Sequence, residues 1–148
     1  MAKNIAALNW AEHYADVEIT SAELLDLYAT AKELVAAPGP GNILQFESIL
    51  LAYDYGTTEY TISGSGSFGV YYTNVSGQRV SETRPTTGFI DQTADIITLM
   101  PSPNTAGGGS ASLTANAPLM LCVASASPTA GNGVLHARVI YRVIATGL

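Results

Sequence analysis

The sequence predicts a mainly β fold, a β-sandwich of jelly-roll-like character with roughly eight strands and one short N-terminal helix. Three observations predict it. First, Lys32 to Gly56 (KELVAAPGPGNILQFESILLAYDYG) holds two apolar runs separated by Pro38-Gly39-Pro40-Gly41, a stretch that no helix can traverse. Second, short runs rich in β-branched and aromatic residues recur between Gly, Pro, Asn and Ser clusters, which is the spacing of strands and turns. Third, Val134 to Ile144 alternates. His136, Arg138 and Arg142 fall on one face, and Leu135, Val139, Tyr141 and Val143 on the other, as a half-buried strand requires.

Residues 1–18 read as an N-terminal arm and residues 19–148 as a single β-sandwich domain. In the arm, Trp10 and Tyr14 stand four apart, so on a helix the two rings would share a face. The arm is either a short helix or an ordered tail docked on a neighbour. Thr20-Ser21-Ala22-Glu23 fits a capping box and starts a helix of about two turns, too short to stand alone in water. Glu33–Ala37 is a strand ending at Pro38. Asn42–Tyr55 is a long strand bent near Glu47-Ser48, with residues 49–53 apolar as if covered on both sides. The Pro38–Gly41 turn suggests that these two strands pair, and it forms one corner of the sandwich.

Tyr60-Thr61-Ile62 and Gly69–Thr73 read as strands, and Asn74–Gln78 as a turn. Phe89-Ile90 and Ile96–Met100 are further candidates, the second stopped by Pro101 and Pro103. Asn104–Ser112 is a glycine-rich loop. Pro118–Ala124 is a buried strand.

Composition narrows the function classes. Hydrophobic residues make up 47% of the 148 and charged residues 12%, about half the usual ~25%. So few charges leave surface that other chains are expected to cover. The net charge is −6, with six Lys and Arg in all, too few for a phosphate-neutralising stripe or a polybasic membrane patch. No nucleic acid and no membrane are expected as partners; no apolar run approaches the ~20 residues of a membrane helix. The first 20 residues lack the apolar core of a signal peptide, so synthesis in the cytoplasm is expected. The lone Cys122, in Leu119-Met120-Leu121-Cys122-Val123, reads as an inert core thiol.

Motifs for chemistry are weak. Gly64-Ser65-Gly66-Ser67-Phe68-Gly69 matches GxGxxG, but Val70-Tyr71-Tyr72-Thr73 follows where a phosphate site needs a helix N-terminus. His13 and His136 lack metal-site spacing, and no GxSxG is present. Asp91 and Asp95 carry no calcium-loop pattern and read as solvated loop acids. Asn74-Val75-Ser76 is a sequon that serves as a turn. No catalytic residue, cofactor or metal is expected. Eight tyrosines, among them Tyr53/Tyr55 and Tyr71/Tyr72, offer rings for stacking on sugars, though on strands such rings more often serve cores and interfaces.

Five segments carry a family likeness: Ile19-Thr20-Ser21-Ala22-Glu23-Leu24-Leu25, Leu34-Val35-Ala36-Ala37-Pro38-Gly39, Tyr71-Tyr72-Thr73-Asn74, Ala117-Pro118-Leu119, and Val139-Ile140-Tyr141-Arg142-Val143. In this order, over residues 19–144, they resemble small virion structural proteins of tailed bacteriophages, some of them similar to capsid cement or decoration proteins. The resemblance implies a β-sandwich without catalysis. It also implies a location on the outer capsid and homo-oligomers that clamp the major capsid protein. A trimer is favoured over a dimer, because capsid lattices offer three-fold sites. Trp10, Tyr14 and the Gly107-Gly108-Gly109 loop are the candidate protein-contact residues. The alternative is a tail or fibre accessory module binding host-surface glycans through its tyrosines.

Overall fold

The computed structural model describes residues 11–103 and 112–146. Among them are eight strands and one helix: β1 (Glu12–Ile19), α1 (Ser21–Asp26), β2 (Lys32–Val35), β3 (Asn42–Asp54), β4 (Ser67–Tyr72), β5 (Arg84–Pro85), β6 (Ile96–Pro101), β7 (Leu119–Ala124) and β8 (Val134–Ala145). They form two four-stranded sheets, ordered β1-β8-β3-β6 and β2-β7-β4-β5. The pairs β1·β8, β2·β7, β3·β6 and β4·β5 are all antiparallel. The chain is therefore one long double strand, doubled back between β4 and β5 and rolled up so that β3 also meets β8 and β4 meets β7. That winding is an eight-stranded jelly roll.

Thr20 caps α1 as its spacing predicts. Its hydroxyl accepts from the Glu23 amide at 3.4 Å, and the Glu23 carboxylate accepts from the Thr20 amide at 2.9 Å. Lys32 Nζ adds an ion pair to Glu23 at 2.5 Å. The Lys32 contact, then the Thr20 amide, hold the Glu23 carboxyl below its ordinary pKa. Leu24 and Leu27 are buried and seat this short helix on the core.

The Pro38–Gly41 turn is a corner, but β2 and β3 do not pair with each other. β2 bonds to β7 in one sheet and β3 to β8 and β6 in the other. Gly39 and Gly41 have φ of 94° and 74°, which glycine adopts without a Cβ penalty. Two ties hold the corner. The Gly39 amide donates to Asn116 Oδ1 at 3.0 Å, and the Thr146 amide donates to the Gly41 carbonyl at 2.8 Å. Two prolines and two glycines remove strand pairing at the crossing, which lets the chain change sheets.

The bend near Glu47 is a β-bulge. Phe46 faces Tyr141 and Ser48 faces Ile140, so the ladder skips Glu47. One extra residue flips the side-chain phase of β3 while β8 keeps its own. Before the bulge, Leu44 and Phe46 point inward; after it, Ile49, Leu51 and Tyr53 do. Both sets meet the same face of β8, from Val143 to Leu135. Glu47 itself is engaged: its carbonyl accepts from the Ser102 amide at 2.9 Å and its carboxylate lies 3.5 Å from Arg142 Nε.

The core lies between the sheets and is rich in rings. Phe89 packs edge-on to Phe68 and tilted to Tyr53, at centroid separations of 5.7 and 6.1 Å. The Tyr60 hydroxyl donates to the Gly133 carbonyl at 2.7 Å, and the Tyr72 hydroxyl donates to the Leu44 carbonyl across the sandwich. Burial pushes the Tyr72 phenol up to about 12 and raises those of Tyr60 and Tyr53. These hydroxyls are core groups satisfied or enclosed by the fold rather than acids for chemistry.

Four further expectations need correction. Phe89-Ile90 is a buried turn, not a strand; its side chains are apolar because they plug the core from a loop. Tyr60–Ile62 reduces to one bridge between Thr61 and Thr129. Residues 49–53 are covered on one side, not both: Ile49, Leu51 and Tyr53 are buried while Leu50 is exposed. Residues 12–18 are strand, so the helical alternative for the arm does not hold there.

Candidate contact surface

The β1-β8-β3-β6 sheet turns one face to the core and the other outward. Register builds the outward face as three rows. Asp16, Arg138, Leu50 and Leu99 form one; Glu18, His136, Ala52 and Ile97 the next; Tyr14, Ile140, Ser48 and Pro101 the third. Each row runs from charged or aromatic groups on β1 to uncharged ones on β6.

On the β1 side Asp16 and Arg138 are paired. Arg138 grips Asp16 with two parallel bonds, Nε to Oδ1 at 2.7 Å and Nη2 to Oδ2 at 2.8 Å. The same guanidinium lies 5.3 Å from the centre of the Tyr14 ring, a cation–π distance. The Arg138 hydrogen bond holds the Asp16 carboxyl below its ordinary pKa. His136 is exposed beside this pair, and with Asp16, Glu18, Arg138, Leu50 and Ala52 it lines a shallow groove of about 450 Å³.

On the β6 side the face is apolar and bare. Ile97 is 69% exposed, Leu99 59% and Leu50 39%. Three large aliphatic side chains clustered on one face are not the scattered singles of an ordinary surface. The second sheet differs. Its outward Tyr71 and Cys122 are buried. A Cβ on Gly69 would lie 2.8 Å from Tyr71 Cε2, so the missing side chain makes room for the ring. Burial raises the Cys122 thiol to about 11, which keeps it protonated and inert.

Of the candidate contact residues, Tyr14 sits on the outward face of β1, 69% exposed. Trp10 and Gly107, Gly108 and Gly109 lie outside the described residues. Leu50, Ile97 and Leu99 were absent from the sequence-based set. Their signal was Ile96-Ile97-Thr98-Leu99-Met100, a strand apolar on both faces with no helix nearby to cover the second.

The residues weighed for chemistry are not brought together. Asp91 Oδ1 accepts from the Gly88 amide at 2.7 Å, and Asp95 Oδ1 accepts from the Tyr55 amide at 2.9 Å; each carboxylate closes its own turn. His13 stacks on Tyr141 at 5.6 Å on the inner side of β1, opposite in direction to His136. Among the described residues no three His, Cys, Asp or Glu groups converge as a metal site. The glycine motif leads into β4, not a helix. Tyr53, Tyr60, Tyr71 and Tyr72 are buried and Tyr55 and Tyr141 half-buried, leaving Tyr14 and Tyr28 as the exposed tyrosines.

No protein-family model matches the chain, and no curated protein does. Two solved structures are similar to it over most of its length. One is the capsid asymmetric unit of cyanophage Pam1, 14% identical with a TM-score of 0.47, covering 91% of this chain and 85% of that one. The other is an acid-stable capsid structure of the Helicobacter pylori bacteriophage KHP30, 12% identical with a TM-score of 0.44, covering 89% and 87%.

Proposed function

We propose that this chain is a non-enzymatic structural protein of a bacteriophage virion, a capsid decoration (cement) protein that stabilises the head by binding the major capsid protein. The observation that carries the contact role is the bare apolar half of the β1-β8-β3-β6 face, in a chain with 12% charged residues. Exposed aliphatic clusters of this kind mark surfaces that another chain covers. The jelly roll by itself decides little, since capsid and lectin domains share it. The virion setting comes from the sequence resemblance over residues 19–144. An outer capsid position suits an acidic chain, which is kept away from packaged DNA. The arm and the outward face, with Tyr14 between them, are the proposed contact regions.

Quantifying this chain in purified particles tests the proposal. Lattice stoichiometry, with the protein on the shell, is expected. A few copies confined to the tail would overturn it. The glycan-binding alternative has less support, because six of the eight tyrosines are buried or half-buried; saccharide binding abolished by Tyr14→Ala or Tyr28→Ala would favour it.

A further inference from the structure

The β6 edge has a free backbone as well as bare side chains, and two hydrogen bonds fix which groups face out. In a strand, the N–H and C=O of alternate residues point to opposite sides. The Ser102 amide donates to the Glu47 carbonyl at 2.9 Å, toward β3, while the Pro101 carbonyl accepts from the Glu82 amide at 2.8 Å. Even-numbered residues of β6 therefore bond to β3, and odd-numbered ones address the open edge. Ile97 and Leu99 each present a donor and an acceptor there. From Ile96 to Met100 no described residue pairs with β6 on that side. Glu82 closes the edge at Pro101, so the open stretch is Ile96–Met100.

We infer that this edge pairs with the same edge of a second copy, antiparallel and two-fold symmetric about Thr98. Three features on the strand select a second copy over another occupant. Ile96-Ile97-Thr98-Leu99-Met100 is self-complementary in kind, apolar on both sides of a central Thr. A two-fold axis at Thr98 sets Ile97 opposite Leu99 of the partner and Leu99 opposite the partner's Ile97. Both are hydrogen-bonded pairs, which gives four new backbone bonds at once. The segment carries no charge. Within Ile96–Met100 neither of two copies with net charge −6 brings a like charge, an isologous contact needs such a strip, and Asp95 and Glu82 bound it at its ends. An open apolar edge that is not paired is also an aggregation template, and pairing removes it by β-augmentation. The contact makes a dimer rather than the trimer expected from lattice symmetry. It does not depend on the virion reading: a chain that never meets a capsid would still pair.

Sedimentation of the full chain across a concentration series tests it. The wild type is expected to pass from monomer to dimer. Leu99→Pro removes an edge donor without touching the β3 ladder, the one place where strand proline is tolerated. Leu99→Lys keeps the donor and sets a charge at the contact. Each should weaken dimerisation by roughly tenfold or more, with an unchanged circular dichroism spectrum. Thr98→Cys should form a reducible intermolecular disulfide, since Thr98 faces its own copy in the close, non-hydrogen-bonded position. A wild type that stays monomeric up to its solubility limit overturns the inference. So does a dimer that survives Leu99→Pro, or one in which Thr98→Cys fails to cross-link. Loss of the dimer with shell binding retained would leave the virion proposal standing, and the reverse result would leave this one.

Discussion

Along the outward side of β1, Glu12, Asp16 and Glu18 are charged and Tyr14 is covered in part by Arg138; along the outward side of β6, Ile97 and Leu99 are neither charged nor covered. The two strands are the edges of one sheet. Charge on an edge repels added strands, so β1 is a finished border. β6 is an open one. The inward sides agree: Ile19 on β1 and Met100 on β6 are both buried. What differs is only the half of each strand that folding does not use.

Deletion and substitution separate the two edges by what each contributes to folding. Deleting residues 1–18 strips the β1 pairing to β8 and the packing of Ala15 and Val17. A loss of roughly 4 kcal/mol or more in urea unfolding is expected. Unchanged stability would mean that β1 is a detachable arm and not a border. Ile19→Ala comes next, at about 3 kcal/mol, because a fully buried aliphatic side chain leaves a cavity. Ile97→Ala should change the stability of the monomer by less than about 0.5 kcal/mol; a core-sized loss there would show that β6 is covered within its own chain.

The smallest effect is electrostatic. The Asp16 carboxyl, held low by Arg138, contributes stability that is fully present above the ordinary carboxylate pKa of about 3.9. That contribution is lost as pH falls through the lowered value, on the acid side only. A carbon-detected titration should find Asp16 below the ordinary carboxylate range in the wild type and back within it in Arg138→Gln. An unchanged value would mean that the bidentate contact is not populated in solution.

The readable parts of the fold are those decided within a few residues. Thr20 and Glu23 announce their cap by spacing alone, and β8 shows its two faces by alternation. Glu47-Ser48 marks the bend of β3, since a polar pair interrupts an apolar run. β1 carries a strand pattern that the arm assignment passed over: His13, Ala15, Val17 and Ile19 alternate with Glu12, Tyr14, Asp16 and Glu18. The four-residue spacing of Trp10 and Tyr14 competes with that signal and favours a helix. Other features depend on distant chain. Phe89-Ile90 has strand composition, yet Phe68 and Tyr53 fix it as a turn. Whether Leu50 is covered depends on what lies over the sheet, and no local pattern encodes that. The bare apolar face of Leu50, Ile97 and Leu99 is invisible to local pattern for this reason.

Glu47 carries a consequence for how this chain tolerates mutation. Because the bulge is a single residue between Phe46, opposite Tyr141, and Ser48, opposite Ile140, loss of that one codon would join Phe46 directly to Ser48 and leave a regular ladder. Phe46, Ile49, Leu51 and Tyr53 would still turn inward, and Ser48 and Leu50 outward. The deletion would remove the Glu47 carbonyl that accepts from the Ser102 amide and the carboxylate beside Arg142, while the faces of β3 keep their places. Position 47 is thus the spare residue of β3, the one whose loss closes the strand into an unbroken alternation.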